Sequence, residues 1–171
     1  MKIERVVVGT LKENCYILSI NNEVVIIDPG SEIDKICAVL GDRKVLAILI
    51  THNHFDHVGC LPYFKNAPVY SIENLKEKEY LIGKFKFNVI YTKGHSDDSI
   101  SFYFADENIL FSGDFLFFEN VGRTDLPTGN DLMMKESIKK IIKYPKNMII
   151  YPGHGIMTNL EHEIENNIYF K

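Results

Sequence analysis

Cysteine is sparse in this 171-residue chain, and the little there is does not pair. Cys15, Cys37 and Cys60 are odd in number and none lies in a Cys-x-x-Cys spacing. That excludes a disulfide framework and predicts the reduced thiols of a cytoplasmic protein. Arginine is also rare: Arg5, Arg43 and Arg123 stand among 19 basic residues, so an arginine in a loop is conspicuous. No apolar run approaches the roughly 20 residues that span a bilayer. The opening Met1-Lys2-Ile3-Glu4-Arg5 leads straight into a strand-like run, without the apolar stretch and cleavage site of a signal peptide. No long run of one charge sign occurs, and a net charge of −4 speaks against a nucleic-acid partner. Linkers, low-complexity tracts and repeats are lacking too, which predicts a single domain over residues 1–171.

What is present concentrates in Thr51-His52-Asn53-His54-Phe55-Asp56-His57-Val58-Gly59, in a chain with only six histidines. This stretch follows an apolar run, Val45 to Ile50, that reads as a buried strand. Side chains two apart on extended backbone point the same way, so His52 and His54 can face one site. Asp56 and His57, from the turn beyond, can face a neighbouring one.

The first third alternates strands and turns: Ile3–Val8, Cys15–Ile20 and Val24–Ile27, with a hairpin turn at Asn21-Asn22. Asp28-Pro29-Gly30 ends the third strand. Asp28 reads as a turn residue first and as a partner of the metal site second. Ser31 is expected to cap a helix carrying Ile33, Ile36, Cys37 and Leu40 inward, closed by Gly41. A short helix follows the cluster through Val58, Leu61 and Phe64, with Cys60 a buried thiol. The spacing predicts a short strand at Pro68–Tyr70, a helix over Glu73–Leu81 and a strand over Lys84–Tyr91. Paired strands are expected at Ser99–Phe104 and Asn108–Phe111. Phe115–Gly129 reads as a long irregular loop, the kind that often carries function. A helix capped by Asn130 or Asp131 then buries Met134, Ile138, Ile141 and Ile142, and a strand runs from Met148 to Tyr151. A closing helix, about Asn159–Ile168, buries Leu160, Ile164 and Ile168. His162 falls on its opposite face and is excluded from the site.

One pattern recurs along the chain. An apolar strand ends and a metal-binding residue follows at once: His52 and His54, His95, Asp114, His154. Edges of this kind are where open α/β architectures place their sites. Counting His52, His54, Asp56, His57, His95, Asp114 and His154 gives seven candidate ligands. One tetrahedral ion needs about four. Two ions sharing a carboxylate fit better. Imidazole and carboxylate donors suit zinc, iron or manganese, with zinc the leading expectation.

These residues, in this order, resemble the metallo-β-lactamase superfamily, from Asp28-Pro29-Gly30 to Pro152-Gly153-His154-Gly155. The resemblance implies an α+β fold, an αββα sandwich of two mixed β-sheets flanked by helices. It also implies His52, His54 and His95 on one ion, Asp56, His57 and His154 on the other, and Asp114 bridging them. Within the superfamily, Val121-Gly122-Arg123-Thr124-Asp125-Leu126-Pro127 is similar to the short glyoxalase II-like hydrolases, thioesterases acting on hydroxyacyl-glutathione or related thioesters. Asp56 and Asp114 would then orient the attacking water. Arg123 would either hold a substrate carboxylate by two parallel hydrogen bonds or pair with Asp125 in its own loop. The implied partner is a small-molecule thioester, with no nucleic acid and no membrane. Persulfide dioxygenases of the same superfamily form the alternative; they bind one iron, here through His52, His95 and Asp114. Full-length glyoxalase II carries a C-terminal helical domain, whereas 17 residues follow His154 here. Lys93 and Asp97-Asp98 replace the proline and glycine frequent in relatives, a change expected at the rim of the site.

Overall fold

The computed structural model describes residues 1–171. Strands β1 (Lys2–Val8), β2 (Glu13–Ile20) and β3 (Glu23–Ile27) form an antiparallel meander. Helix α1 (Ile33–Leu40) then crosses to β4 (Lys44–Leu49), parallel to β3, and β5 (Val69–Tyr70) adds in parallel at the edge. Between β4 and β5 lies α2 (Phe55–Val58), a single turn. The second sheet contains β6 (Glu79–Ile82), β7 (Phe85–Tyr91), β8 (Ile100–Phe104) and β9 (Ile109–Gly113). After a small hairpin, β10 (Leu116–Phe117) and β11 (Asn120–Val121), helix α3 (Asp131–Ile141) leads to β12 (Ile149–Pro152). Strand β13 (Thr158–Asn159) and helix α4 (Leu160–Asn166) finish the chain apart from a last turn. The sheet orders are β1-β2-β3-β4-β5 and β13-β12-β9-β8-β7-β6, both mixed.

Strand parity explains the layers. Cys15 and Ile17, Val24 and Ile26, and Ile48 point outward beneath Ile36 and Leu40 of α1. Their neighbours Tyr16 and Leu18, Val25 and Ile27, and Leu49 point inward against Phe85, Phe87, Phe102 and Phe111 of the second sheet. On the far side, Ile90, Leu110 and Ile150 meet Met134, Ile138 and Ile141 of α3 and Leu160 of α4. Both faces of each sheet are covered, so the central strands read as continuous apolar runs rather than alternating ones. The result is the expected αββα sandwich of two mixed sheets.

Several local expectations fail. Glu73–Leu81 is not a helix. Glu79–Ile82 pairs with β7 across a turn at Gly83, while the preceding residues form turns closed by Asn74 Oδ1 accepting from Ser71 N and Tyr80 Oη accepting from Lys76 N. Tertiary pairing overrides the helix-forming Glu, Lys and Leu composition. The residue at the α1 N-cap is Glu32 in a left-handed conformation, not Ser31, and its side chain makes no capping bond. Cys37 is exposed. Ile142, past the end of α3, and Ile168, past the end of α4, are also exposed rather than core. The short helix expected after the cluster is a single 3-10 turn, Leu61–Tyr63, and a separate one-turn helix over Phe55–Val58 takes in Asp56 and His57. Phe115–Gly129 is partly ordered by the β10–β11 hairpin.

Candidate metal centre

All seven candidate ligands converge at one edge of the sandwich, beyond the ends of β4, β9 and β12 and the loop after β7. The donor atoms of His52, His54 and His95 lie within 4.8 Å of one another, as do those of Asp56, His57 and His154. Asp114 joins the two groups. Its Oδ1 is 3.3 Å from His57 Nε2, and its Oδ2 is 3.5 Å from His154 Nε2 and 3.6 Å from His95 Nε2. His162 lies elsewhere, bonded to Glu119 and stacked on Phe118.

Ring orientation is set from outside the cluster. Asp28 is the hub of the floor. Its carboxylate accepts from Thr51 N at 2.8 Å, Thr51 Oγ1 at 2.6 Å and His57 Nδ1 at 3.0 Å. Thr51 Oγ1 in turn lies 3.1 Å from His52 Nδ1, so one carboxylate orients a ring in each group. Asp28 is therefore both the turn residue, at φ 49°, and a partner of the site. At the rim the supports are main-chain carbonyls. His95 Nδ1 donates to Arg123 O at 2.8 Å and His154 Nδ1 to Leu11 O at 3.0 Å. Such partners fix which nitrogen faces the metal.

The His154 loop is held across the sandwich by the first hairpin. Asn14 Nδ2 donates to Pro152 O and Gly155 O, Tyr16 Oη to Pro152 O, and Arg5 to Gly155 O. Glycine is required at two contacts. A Cβ at Gly153 would lie 2.3 Å from Asp114 Oδ1, and one at Gly122 would lie 1.8 Å from Asp114 O.

The donor set fits cations. His54 Nδ1 stands 3.1 Å from His52 Nε2 and 2.9 Å from His95 Nε2. The protons of His52 and His95 are engaged on their other nitrogens, so lone pairs crowd together with at most one proton among them. His57 Nε2 and Asp114 Oδ1 are buried without hydrogen-bond partners. Burial, and then the neighbouring His57, push His52 well below the usual imidazole range; burial and His95 lower His54. Burial alone would raise Asp114, but His57 beside it holds it below the usual carboxylate range. Asp56 is lowered too, with His154 and His57 overcoming burial. Neutral imidazoles and ionised carboxylates are the forms that bind metal. His57 differs in direction: burial alone would lower it, but Asp114 and Asp28 beside it raise it well above the ordinary value.

Three residues exceed the sequence reading. Asp28 is the first. The second is Glu13, 1% exposed with neither carboxylate oxygen hydrogen-bonded, 4.0 Å from His57 Nδ1; burial pushes its carboxyl up to about 10. A glutamate opening a strand gives no sequence signal of this. The third is Asp98. It accepts from Asn53 N and Ser96 Oγ, bracing the His52–His54 segment. Arg123 pairs with Asp125 through Nε and Nη2, at 2.6 and 2.7 Å, while also lining the cleft above the cluster. No helix is long and apolar enough to cross a membrane.

A two-sheet sandwich with convergent histidine and aspartate sets at one edge defines a metallo-hydrolase class, and the chain belongs to the metallo-beta-lactamase superfamily, which it matches over residues 8–88 and 72–154. Among curated relatives, the probable metallo-hydrolase YqgX of Bacillus subtilis is 32% identical over 98% of this chain and 96% of its own length. The hydroxyacylglutathione hydrolase GloC of Haemophilus influenzae is 26% identical over 98% and 97%. Among solved structures, the BLEG-1 B3 metallo-beta-lactamase superposes with a TM-score of 0.92 at 32% identity, covering 99% of both chains. TTHA1623, in a di-iron-bound form, gives 0.88 at 33%, covering 97% and 99%. ETHE1 from Myxococcus xanthus gives 0.88 at 26%, covering 98% of this chain and 84% of its own.

Proposed function

We propose that this chain is a metal-dependent thioester hydrolase of the glyoxalase II type, a single catalytic domain over residues 1–171 acting on a small molecule in the cytoplasm. The observation that carries the reading is the pair of three-ligand sets meeting at Asp114, with His57 Nε2 and Asp114 Oδ1 buried and unpartnered between them. His52, His54 and His95 would hold one divalent ion, Asp56, His57 and His154 the other, and Asp114 both. Zinc is the expected pair, and the di-iron form of TTHA1623 supports iron as an equal fit for such a donor set. Similarity to GloC supports thioester chemistry.

Divalent ions in such a site lower the pKa of water to about 7 and stabilise charge developing on a carbonyl oxygen. The carboxylates of Asp56 and Asp114 accept hydrogen bonds from the attacking water and aim it at the acyl carbon. The water's oxygen bonds to the acyl carbon as the C–S bond breaks; its proton passes through the Asp56 carboxylate to solvent, and the sulfur leaves as thiolate without needing a strong general acid. Arg123 stands at the cleft where a carboxylate of the substrate can displace Asp125 from its fork.

The test is metal quantification joined to release of thiol from S-lactoylglutathione, run with and without oxygen. Asp114→Ala is expected to lose at least one ion per chain and to lower kcat/KM by at least about 100-fold. Full occupancy in that variant overturns the bridging role. A second reading, an iron-dependent persulfide dioxygenase using His52, His95 and Asp114, is supported by the likeness to ETHE1 and by the Arg123-Thr124-Asp125 element. Oxygen consumption with glutathione persulfide, about one iron per chain and no anaerobic thioesterase activity would replace the first reading with this one.

A further inference from the structure

The cleft above the ligands encloses about 570 Å³. Leu11 stands beside His154, whose ring its carbonyl holds, and Arg123 beside His95, held in the same way. Phe55 adds a second large apolar side chain to the lining, and Leu126 and Pro127 continue it beyond Arg123. Phe55 sits between the ligand residues His54 and Asp56 in a one-turn helix, so turning those ligands inward turns Phe55 outward, where it is 76% exposed. Leu11 is 53% exposed. Large apolar side chains left this open, at the mouth of a site whose floor is wholly polar, gain only when a ligand covers them. Arg123 is the one arginine or lysine that lines the cleft, a partner for an ionic part of a substrate.

We infer that the Leu11–Phe55 lip selects an aliphatic acyl chain. This inference rests on the thioester-hydrolase reading. With the thioester carbonyl at the ligand floor, the two arms of the substrate diverge. The charged thiol carrier runs over Arg123, and the acyl group lies against Leu11 and Phe55. The preferred substrates are then straight-chain acyl thioesters of butanoyl to hexanoyl size, rather than short hydroxylated acyl groups such as lactoyl. The lactoyl group has a single methyl to lay against Leu11 and Phe55, whereas a longer chain covers more of both.

The experiment measures kcat/KM on S-acyl glutathiones from acetyl to hexanoyl, with lactoyl alongside, using protein of full metal content. Burial of a methylene on a half-open lip predicts a rise of about two- to threefold per carbon. Phe55→Ala is expected to flatten that slope and Phe55→Leu to keep it. A flat wild-type series, a preference for lactoyl over hexanoyl, or a slope that survives Phe55→Ala overturns the assignment while leaving the thioesterase reading intact. If no thioester is cleaved, that reading falls. Calorimetric binding of straight-chain acids from acetate to hexanoate then decides the lip on its own: affinity that climbs with length and collapses in Phe55→Ala supports it, and flat affinity overturns it.

Discussion

The floor and the rim of the cleft orient the same kind of ligand by opposite means. On the floor, His52 and His57 are 2% and 0% exposed, and side chains hold them, Asp28 directly and Thr51 in relay. At the rim, His95 and His154 are held by the carbonyls of Arg123 and Leu11, residues whose own side chains face the cleft. A support made by a buried side chain is removed by one substitution. A support made by the main chain survives it. The floor is therefore brittle to mutation and the rim tolerant, although both hold candidate ligands.

The sharpest way to break this contrast is Asp28→Ala. It strands the Thr51 N–H, the Thr51 hydroxyl and the His57 Nδ1 proton in a buried setting, for a loss of about 3 kcal/mol. The expected outcome is a Tm lower by about 10 °C and metal affinity down by about 10- to 100-fold, read by calorimetry and chelator competition. A variant with wild-type affinity would show that the floor does not depend on this carboxylate. Asn14→Ala comes next. Pro152 O and Gly155 O each keep another donor, from Tyr16 and Arg5, so stability falls by only about 1 kcal/mol. The His154 loop loosens, and an ion held by Asp56, His57 and His154 is expected to lose about tenfold in affinity while one held by His52, His54 and His95 is unchanged. Equal loss of both would refute the division into two ligand sets. Leu11→Ala is the mildest. Because the carbonyl that holds His154 remains, metal affinity is expected to stay within about twofold of the parent, a change worth only a few tenths of a kcal/mol. A larger drop would erase the difference between floor and rim.

How far this was readable without the structure follows the same division. The candidate ligands His52, His54, His95, Asp114 and His154 stood out because they come soon after strand ends, which are visible as breaks in composition. The layers were visible too, since strands buried on both faces leave continuous apolar runs. Asp28 was half legible: Asp-Pro-Gly marks a turn, but nothing in the sequence says that Thr51 and His57 return to it from more than 20 residues away. The same holds for Glu13 and for the Asn14 clamp, whose partners are contributed by the opposite sheet. Glu73–Leu81 was misread because a polar edge strand and a solvent-facing helix share the same lysines and glutamates. Pairing with β7 decides between them, and pairing is not local.

The rim carbonyls also bear on how such a site changes over generations. At positions 11 and 123 the side chain touches what enters the cleft, while the peptide unit behind it steadies a ligand. Substitution rewrites the first and leaves the second in place. The side chains that line the cleft can thus be exchanged one at a time, with the supports of the candidate metal centre intact at each intermediate. On the floor no such path exists, because at Asp28 the steadying group and the mutable group are the same atoms.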